Sequence, residues 1–178
     1  MLLSDVGKML NVTCRGDCEF DGFAIDSRAV KRGNMFVCLP GARVDGHDFA
    51  AMAEENGAAC FLCERPLDTS LPCCIVPDSL KGLQDLGRAY RLALGVKVVA
   101  VTGSVGKTTT KEYISSVLSR RYGTHKTEGN KNSETGVPLT LLAVSPEDEV
   151  VVTEMGMSAK GEISVLTDIA RPDVAVIT

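Results

Sequence analysis

The feature that most limits what this chain can fold into is an apolar run that ends in a glycine loop. Val96-Lys97-Val98-Val99-Ala100-Val101 is almost wholly β-branched or apolar, which suits a strand buried on both faces at the centre of a parallel sheet. It passes through Thr102 into Gly103-Ser104-Val105-Gly106-Lys107-Thr108-Thr109, and a helix is expected next over 111–121 with Ile114, Val117 and Leu118 inward. Strand, glycine loop and helix form the context a phosphate-binding loop requires. Backbone N–H groups there converge with the positive end of the helix on a polyphosphate. Gly103 and Gly106 permit the unusual dihedrals, Lys107 reaches the β- and γ-phosphates, and the Thr108 hydroxyl sits on Mg²⁺. The pattern is shorter than usual, since Val101 stands where the first glycine is expected. A merely structural βα turn is the competing reading, and it leaves the lysine and threonines unexplained.

Strand-like runs alternate with helical spacing elsewhere, so the class is α/β. A first helix is expected after Ser4 as N-cap, with Val6, Met9 and Leu10 on one face. Strands are expected at 23–25, 35–39, 59–62 and 74–76, and a helix over 47–56 that stops at Gly57. Pro77-Asp78-Ser79 then breaks the chain and caps a helix carrying Leu80, Leu83, Leu86, Tyr90 and Leu94. That break sets the expected boundary between domains 1–78 and 79–178. Further strands are expected at 149–153, ending at Glu154, and at 174–178. A parallel sheet whose newest strand is the last residues reads as truncated at its C-terminus.

A net charge of -4 without a basic tail gives no sign of nucleic acid. No apolar run approaches the roughly 20 residues of a membrane span, and the first residues lack a signal-peptide pattern. A cytoplasmic location and no membrane insertion are therefore expected. Seven cysteines lie in the first half. Cys60 and Cys63 have metal-like spacing, but strand alternation aims them apart and no second pair completes a zinc set. Reduced, partly buried thiols are expected.

No Asp-x-x-Gly switch appears, and Asn130-Lys131-Asn132-Ser133 lacks the aspartate of a guanine-reading motif. ATP is therefore the expected nucleotide, with a small-molecule kinase left open by the loop alone. Glu154, at the end of a strand, is placed to hold Mg²⁺; a solvated strand-end carboxylate is the alternative. Asn130 and Asn132 either shape the site near the γ-phosphate or form an ordinary Asn-rich turn.

These residues carry a resemblance. Thr102 to Glu112 resembles the ATP loop of the Mur ligases. Thr127-Glu128-Gly129-Asn130-Lys131-Asn132 with Gly136-Val137-Pro138-Leu139-Thr140, Glu154-Met155-Gly156-Met157 with Gly161-Glu162-Ile163, and 170–175 resemble the members that add D-alanyl-D-alanine. Asp26-Ser27-Arg28, Gly33, Phe36-Val37 and 45–49 resemble the UDP-binding domain shared by two members. One position departs: Ser133 stands where the family usually has a second asparagine. The resemblance implies a small N-terminal α/β UDP-binding domain followed by a P-loop mononucleotide-binding domain with a parallel sheet. It implies ATP and Mg²⁺, with Lys107 and Glu154 catalytic, Gly103, Ser104, Val105, Gly106, Lys107, Thr108, Thr109, Asn130 and Asn132 around ATP, and Mg²⁺ on Thr108 and Glu154. It places the uridine diphosphate at Ser27, Arg28, Ala42, Arg43 and Val44, although Arg28 reads equally well as a structural ion-pair partner. UDP-N-acetylmuramoyl-tripeptide and D-alanyl-D-alanine are the implied substrates of a monomer. Addition of diaminopimelate or lysine is the alternative, as is a nucleotide-binding module without turnover. His47 is expected to cap the helix after it, and His125 to be exposed.

Overall fold

The computed structural model describes residues 1–41 and 43–178. The chain divides into two compact units, Met1–Leu86 and Gly87–Thr178. The division falls inside a helix, later than the boundary expected ahead of it.

In the first unit, α1 (Leu3–Leu10), β1 (Cys14–Arg15), β2 (Phe23–Ala24), β3 (Met35–Val37), α2 (Ala50–Glu55), β4 (Cys60–Cys63) and β5 (Cys73–Ile75) lead into α3 (Ser79–Leu94). The sheet order is β1-β5-β4-β3-β2, antiparallel only between β1 and β5. All four residues of β4 are buried, as befits a strand covered on both faces. Cys60 and Cys63 fall on opposite faces of it, and Cys63 packs with Phe36 and Phe61. Ser4 does not cap α1. The helix starts earlier, at Leu3, behind an N-cap Leu2 that offers no side-chain bond, and the Ser4 N–H donates to Asp17 Oδ1 at 2.9 Å instead. Asp78 caps α3 by accepting the Lys81 N–H at 2.8 Å.

In the second unit, β6 (Lys97–Thr102), α4 (Lys107–Leu118), β7 (Thr124–Lys126), α5 (Gly136–Leu142), β8 (Val150–Glu154), α6 (Glu162–Ala170) and β9 (Val174–Ile177) follow. The sheet order is β7-β8-β6-β9, all parallel. The β-branched run thus lies between two neighbours, as expected. Helix α4 departs from expectation in two ways. It begins at Lys107 itself, and Val117 is 72% exposed rather than inward. Lys111 and Ser115 are its buried residues. They lie four apart on one stripe, with Val117 on the far side of the helix. A polar stripe faces inward there because the site, not an apolar core, is what this part of α4 covers. Helix α5 carries Pro138 within its first turn, where a missing N–H costs nothing; it was not anticipated, and neither was α6.

Asp173 fastens the entry to β9. Its Oδ2 accepts the Val98 N–H at 2.9 Å and Arg91 Nη2 at 2.8 Å, and its Oδ1 accepts Lys97 Nζ at 3.0 Å. The Val98 N–H, with Lys97 and Arg91, holds this carboxyl below its ordinary value of 3.8. A group with a depressed folded pKa stabilises fully above the unfolded value and loses that contribution as pH falls through the folded one. Asp173→Ala should therefore cost about 2 kcal/mol at neutral pH. In denaturant titrations the gap from wild type should narrow below about pH 4.

Candidate functional site

The loop between β6 and α4 takes the conformation its glycines allow. Gly103 has φ 142° and Gly106 has φ 80°, both in the region that side chains rarely adopt. A Cβ on Gly103 would lie 2.1 Å from the Thr178 carbonyl oxygen, so only glycine lets β9's end approach. Gly106 is the N-cap of α4. The Thr110 N–H donates to the Gly106 carbonyl at 2.9 Å, and the amides of the turn before it, like those of any helix N-terminus, have no intrahelical partner and can receive an anion. Ser104, Val105, Thr108 and Thr109 are exposed around that turn. Lys107 Nζ is folded back onto the Gly103 carbonyl at 2.8 Å.

Beside the loop sits Glu154, 3% exposed, at the last position of β8. Its Oε2 accepts Thr108 Oγ1 at 2.9 Å and its Oε1 accepts Asn132 Nδ2 at 2.9 Å. Its backbone N–H donates to Thr127 Oγ1 at 2.9 Å. Lys111, 2% exposed, donates to the Thr127 carbonyl at 2.8 Å, and its Nζ lies 3.9 Å from Glu154 Oε2. A carboxylate at this depth needs such partners. Thr108, Asn132 and Glu154 are therefore brought together. The group has hard oxygen donors, the kind that suits Mg²⁺. Both carboxylate oxygens face donors that a cation can replace, so the residues fit that ion.

Asn132 is held from both sides. Its carbonyl accepts the Gly156 N–H at 2.9 Å, and its N–H donates to the Asn130 carbonyl at 2.7 Å. A Cβ on Gly136 would lie 2.4 Å from the backbone of Lys131, so glycine is required there for the loop to close. Asn130 is exposed and contributes its backbone oxygen. Ser133, at the departing position, accepts the Gly136 N–H at 3.3 Å at the start of α5. A cavity of about 500 Å³ opens beside Lys107 and Asn132, lined also by Ser158, Glu162 and Val165.

In the first unit the candidate residues are more scattered. Ser27 is buried and its hydroxyl donates to Met52 Sδ at 3.3 Å. Arg28 makes a two-pronged contact with Asp26, at 2.9 Å and 2.7 Å, and this pair holds the Asp26 carboxyl at about 2. Arg28 thus stands in an ion pair with Asp26. Arg43 and Val44 are exposed, and Ala42 lies outside the described residues. His47 is buried and does not cap. Asp45 does, accepting the His47 N–H at 2.9 Å, while the ring bridges Asp45 Oδ1 at 2.5 Å and the Glu64 N–H at 2.8 Å. His125 is half-buried in β7 rather than exposed, and burial lowers its pKa.

Thr127 and Lys111 belong to the site without having been singled out. A charged residue one helical turn after the loop lysine, inside a stripe that must face the sheet, was the available signal for Lys111. Thr127 had only its place at the head of the 127–132 motif, since its hydroxyl bonds to a residue 27 positions away.

Comparison with known proteins adds the following. The family pattern described as "Mur ligase family, catalytic domain" matches residues 19–104, and the pattern "Mur ligase middle domain" matches 101–178. The UDP-N-acetylmuramoyl-tripeptide--D-alanyl-D-alanine ligase of Bacillus subtilis is 47% identical over 160 residues, covering 88% of this chain and 35% of that protein. Its Escherichia coli counterpart is 40% identical over 176 residues, covering 98% of this chain and 39% of that protein. A crystal structure of MurF from Acinetobacter baumannii superposes with a TM-score of 0.90 at 35% identity, over 98% of this chain and 39% of that one. MurF from Thermotoga maritima in complex with ADP gives 0.76 at 40% identity, over 88% and 36%. The chain thus spans less than two fifths of the length of these relatives.

Thr127→Val should remove the acceptor for the Glu154 N–H and leave that buried donor unpaired, at a cost of about 1–3 kcal/mol. Chemical denaturation checks the loss, and an unchanged midpoint would contradict the arrangement.

Proposed function

This chain belongs to the Mur ligase family, and from that premise we propose that the protein is an ATP-dependent ligase joining D-alanyl-D-alanine to UDP-N-acetylmuramoyl-tripeptide. It acts in the cytoplasm as a monomer, in the synthesis of cell-wall precursor. The first unit takes the UDP-precursor, with Ser27, Arg28, Ala42, Arg43 and Val44 near the uridine diphosphate. The second is the front of the ATP-binding domain. The observation that carries the reading is Glu154, buried between the Thr108 hydroxyl and the Asn132 amide at the foot of the glycine loop. The ADP bound to the Thermotoga maritima relative supports the nucleotide.

The chemistry follows from the substrates. A carboxylate is a poor electrophile, so its oxygen first attacks the γ-phosphorus of ATP, giving an acyl phosphate and ADP. The neutral amine of D-alanyl-D-alanine then attacks the carbonyl carbon, an amide forms as the nitrogen gives up a proton to the surrounding water, and inorganic phosphate leaves with the bonding pair. The amides from Gly103 to Thr109 receive the polyphosphate. Lys107 exchanges its 2.8 Å bond to the Gly103 carbonyl for phosphate oxygens. Thr108 and Glu154 would hold Mg²⁺, which spreads the charge of the transferring phosphoryl group. Asn132 keeps the Glu154 carboxylate turned toward the loop, and Asn130 positions Asn132 through its backbone oxygen. One preorganised donor of this kind is worth about 3–4 kcal/mol of barrier.

In the full-length enzyme, ADP formation should require both the UDP-tripeptide and D-alanyl-D-alanine. Lys107→Ala should lower it by about 100-fold or more while binding of the UDP-precursor persists. Equal turnover with diaminopimelate or lysine as acceptor would overturn the assigned substrate, and retained activity in the variant would overturn the assigned site.

A further inference from the structure

All seven cysteines belong to the first unit, and six of them fall into three neighbouring pairs. Cys14 neighbours Cys74, Cys18 neighbours Cys60, and Cys63 neighbours Cys73. The pairs are not equivalent. Cys63 and Cys73 are both buried and lie diagonally on parallel strands, since Phe61 is the register partner of Cys73. Cys18 and Cys60 have no strand register between them. Cys14 and Cys74 stand directly opposite each other in the antiparallel pair of β1 and β5. Residues so opposed have Cα atoms about 4.5–5.5 Å apart, inside the range of about 4.4–6.8 Å that a disulfide spans. The register therefore permits a bond between them.

Access to the two thiols differs as well. Cys74 is fully buried, whereas Cys14 is half-buried in the wall of a surface hollow of about 400 Å³, beside Ser4, Gly7, Lys8 and Asn11. A Cβ on Gly7 would lie 2.8 Å from the Val12 carbonyl oxygen and 3.0 Å from Cys14 Sγ, so only glycine fits beside that thiol. One thiol meets solvent and the other waits behind it, an entry thiol and a resolving thiol.

We propose that Cys14 and Cys74 form a reversible cross-strand disulfide by exchange with a low-molecular-weight disulfide. The Cys14 thiolate attacks one sulfur of the small disulfide, a mixed disulfide forms at Cys14, and one small thiolate leaves and takes up a proton. Cys74 then attacks Cys14 Sγ, losing its proton as the second small thiol departs. Two cysteine thiols are oxidised, and the small disulfide is reduced to two thiols. Burial pushes the Cys74 thiol well above the ordinary range, and Cys14 is the thiol of the pair that solvent reaches, so Cys14 reacts first. The new bond ties the segment holding α1 and β1 to the sheet and closes a long loop of chain, which constrains the unfolded state.

The test is to incubate the 178-residue chain with oxidised glutathione, alkylate the remaining thiols, and map the unreduced peptides by mass spectrometry. The expected product is two hydrogens lighter and carries a Cys14–Cys74 cross-linked peptide that dithiothreitol releases. Its thermal midpoint should rise by about 5 °C or more. Cys74→Ala should stop at a glutathione adduct on Cys14, and Cys14→Ser should leave Cys74 unmodified. A link through Cys18–Cys60 or Cys63–Cys73, a lasting adduct on Cys14 in the wild type, or fully alkylated thiols would each overturn the proposal.

Discussion

The second unit is organised around one buried carboxylate. Glu154 takes a donor from the first turn of α4, one from the loop after β7 and, through its own N–H, an acceptor at the end of β7. An isolated charge in that place would cost several kcal/mol. Each partner must therefore be delivered, and each delivery fixes a segment. The parallel pairing of β8 with both β6 and β7 sets three strand ends side by side. The glycine loop brings Thr108 over them, and the glycines at 136 and 156 let the Asn132 loop close down. Lys111 completes the set from beneath the loop.

The polar groups of the site also satisfy one another. Lys107 rests on the Gly103 carbonyl, and Thr108 and Asn132 on the carboxylate. A polyphosphate and a divalent ion would replace these bonds with charge-assisted ones, which are shorter and stronger. Among the described residues of the first unit, nothing comparable is found. Ser27 and Arg28 are already occupied by Met52 and Asp26, so a ligand there would have to compete with an existing ion pair.

Much of this was legible in the sequence, for identifiable reasons. The β-branched run, the glycine loop, Thr108 and Glu154 could be read because strand burial and loop chemistry act over a few neighbouring residues. Gly57 as a helix stop and Asp78 as a cap could be read for the same reason. The inward face of α4 was misjudged because an apolar stripe was expected where a polar site is covered, leaving Val117 exposed. Helix α5 was missed because a glycine and a proline open it. Thr127 and the role of His47 depend on bonds between residues far apart in the chain, which no local pattern reveals.

The central claim is that Thr108 and Glu154 form one metal-holding pair at the foot of the nucleotide loop. A crystal structure of this chain with Mg²⁺ and ADP tests it most directly. The account predicts a metal about 2.0–2.1 Å from its directly bound oxygens, among them Thr108 Oγ1 and a Glu154 carboxylate oxygen, with Lys107 moved from the Gly103 carbonyl to the phosphates. Nucleotide bound with the metal remote from both residues, and Lys107 still on Gly103, would contradict it.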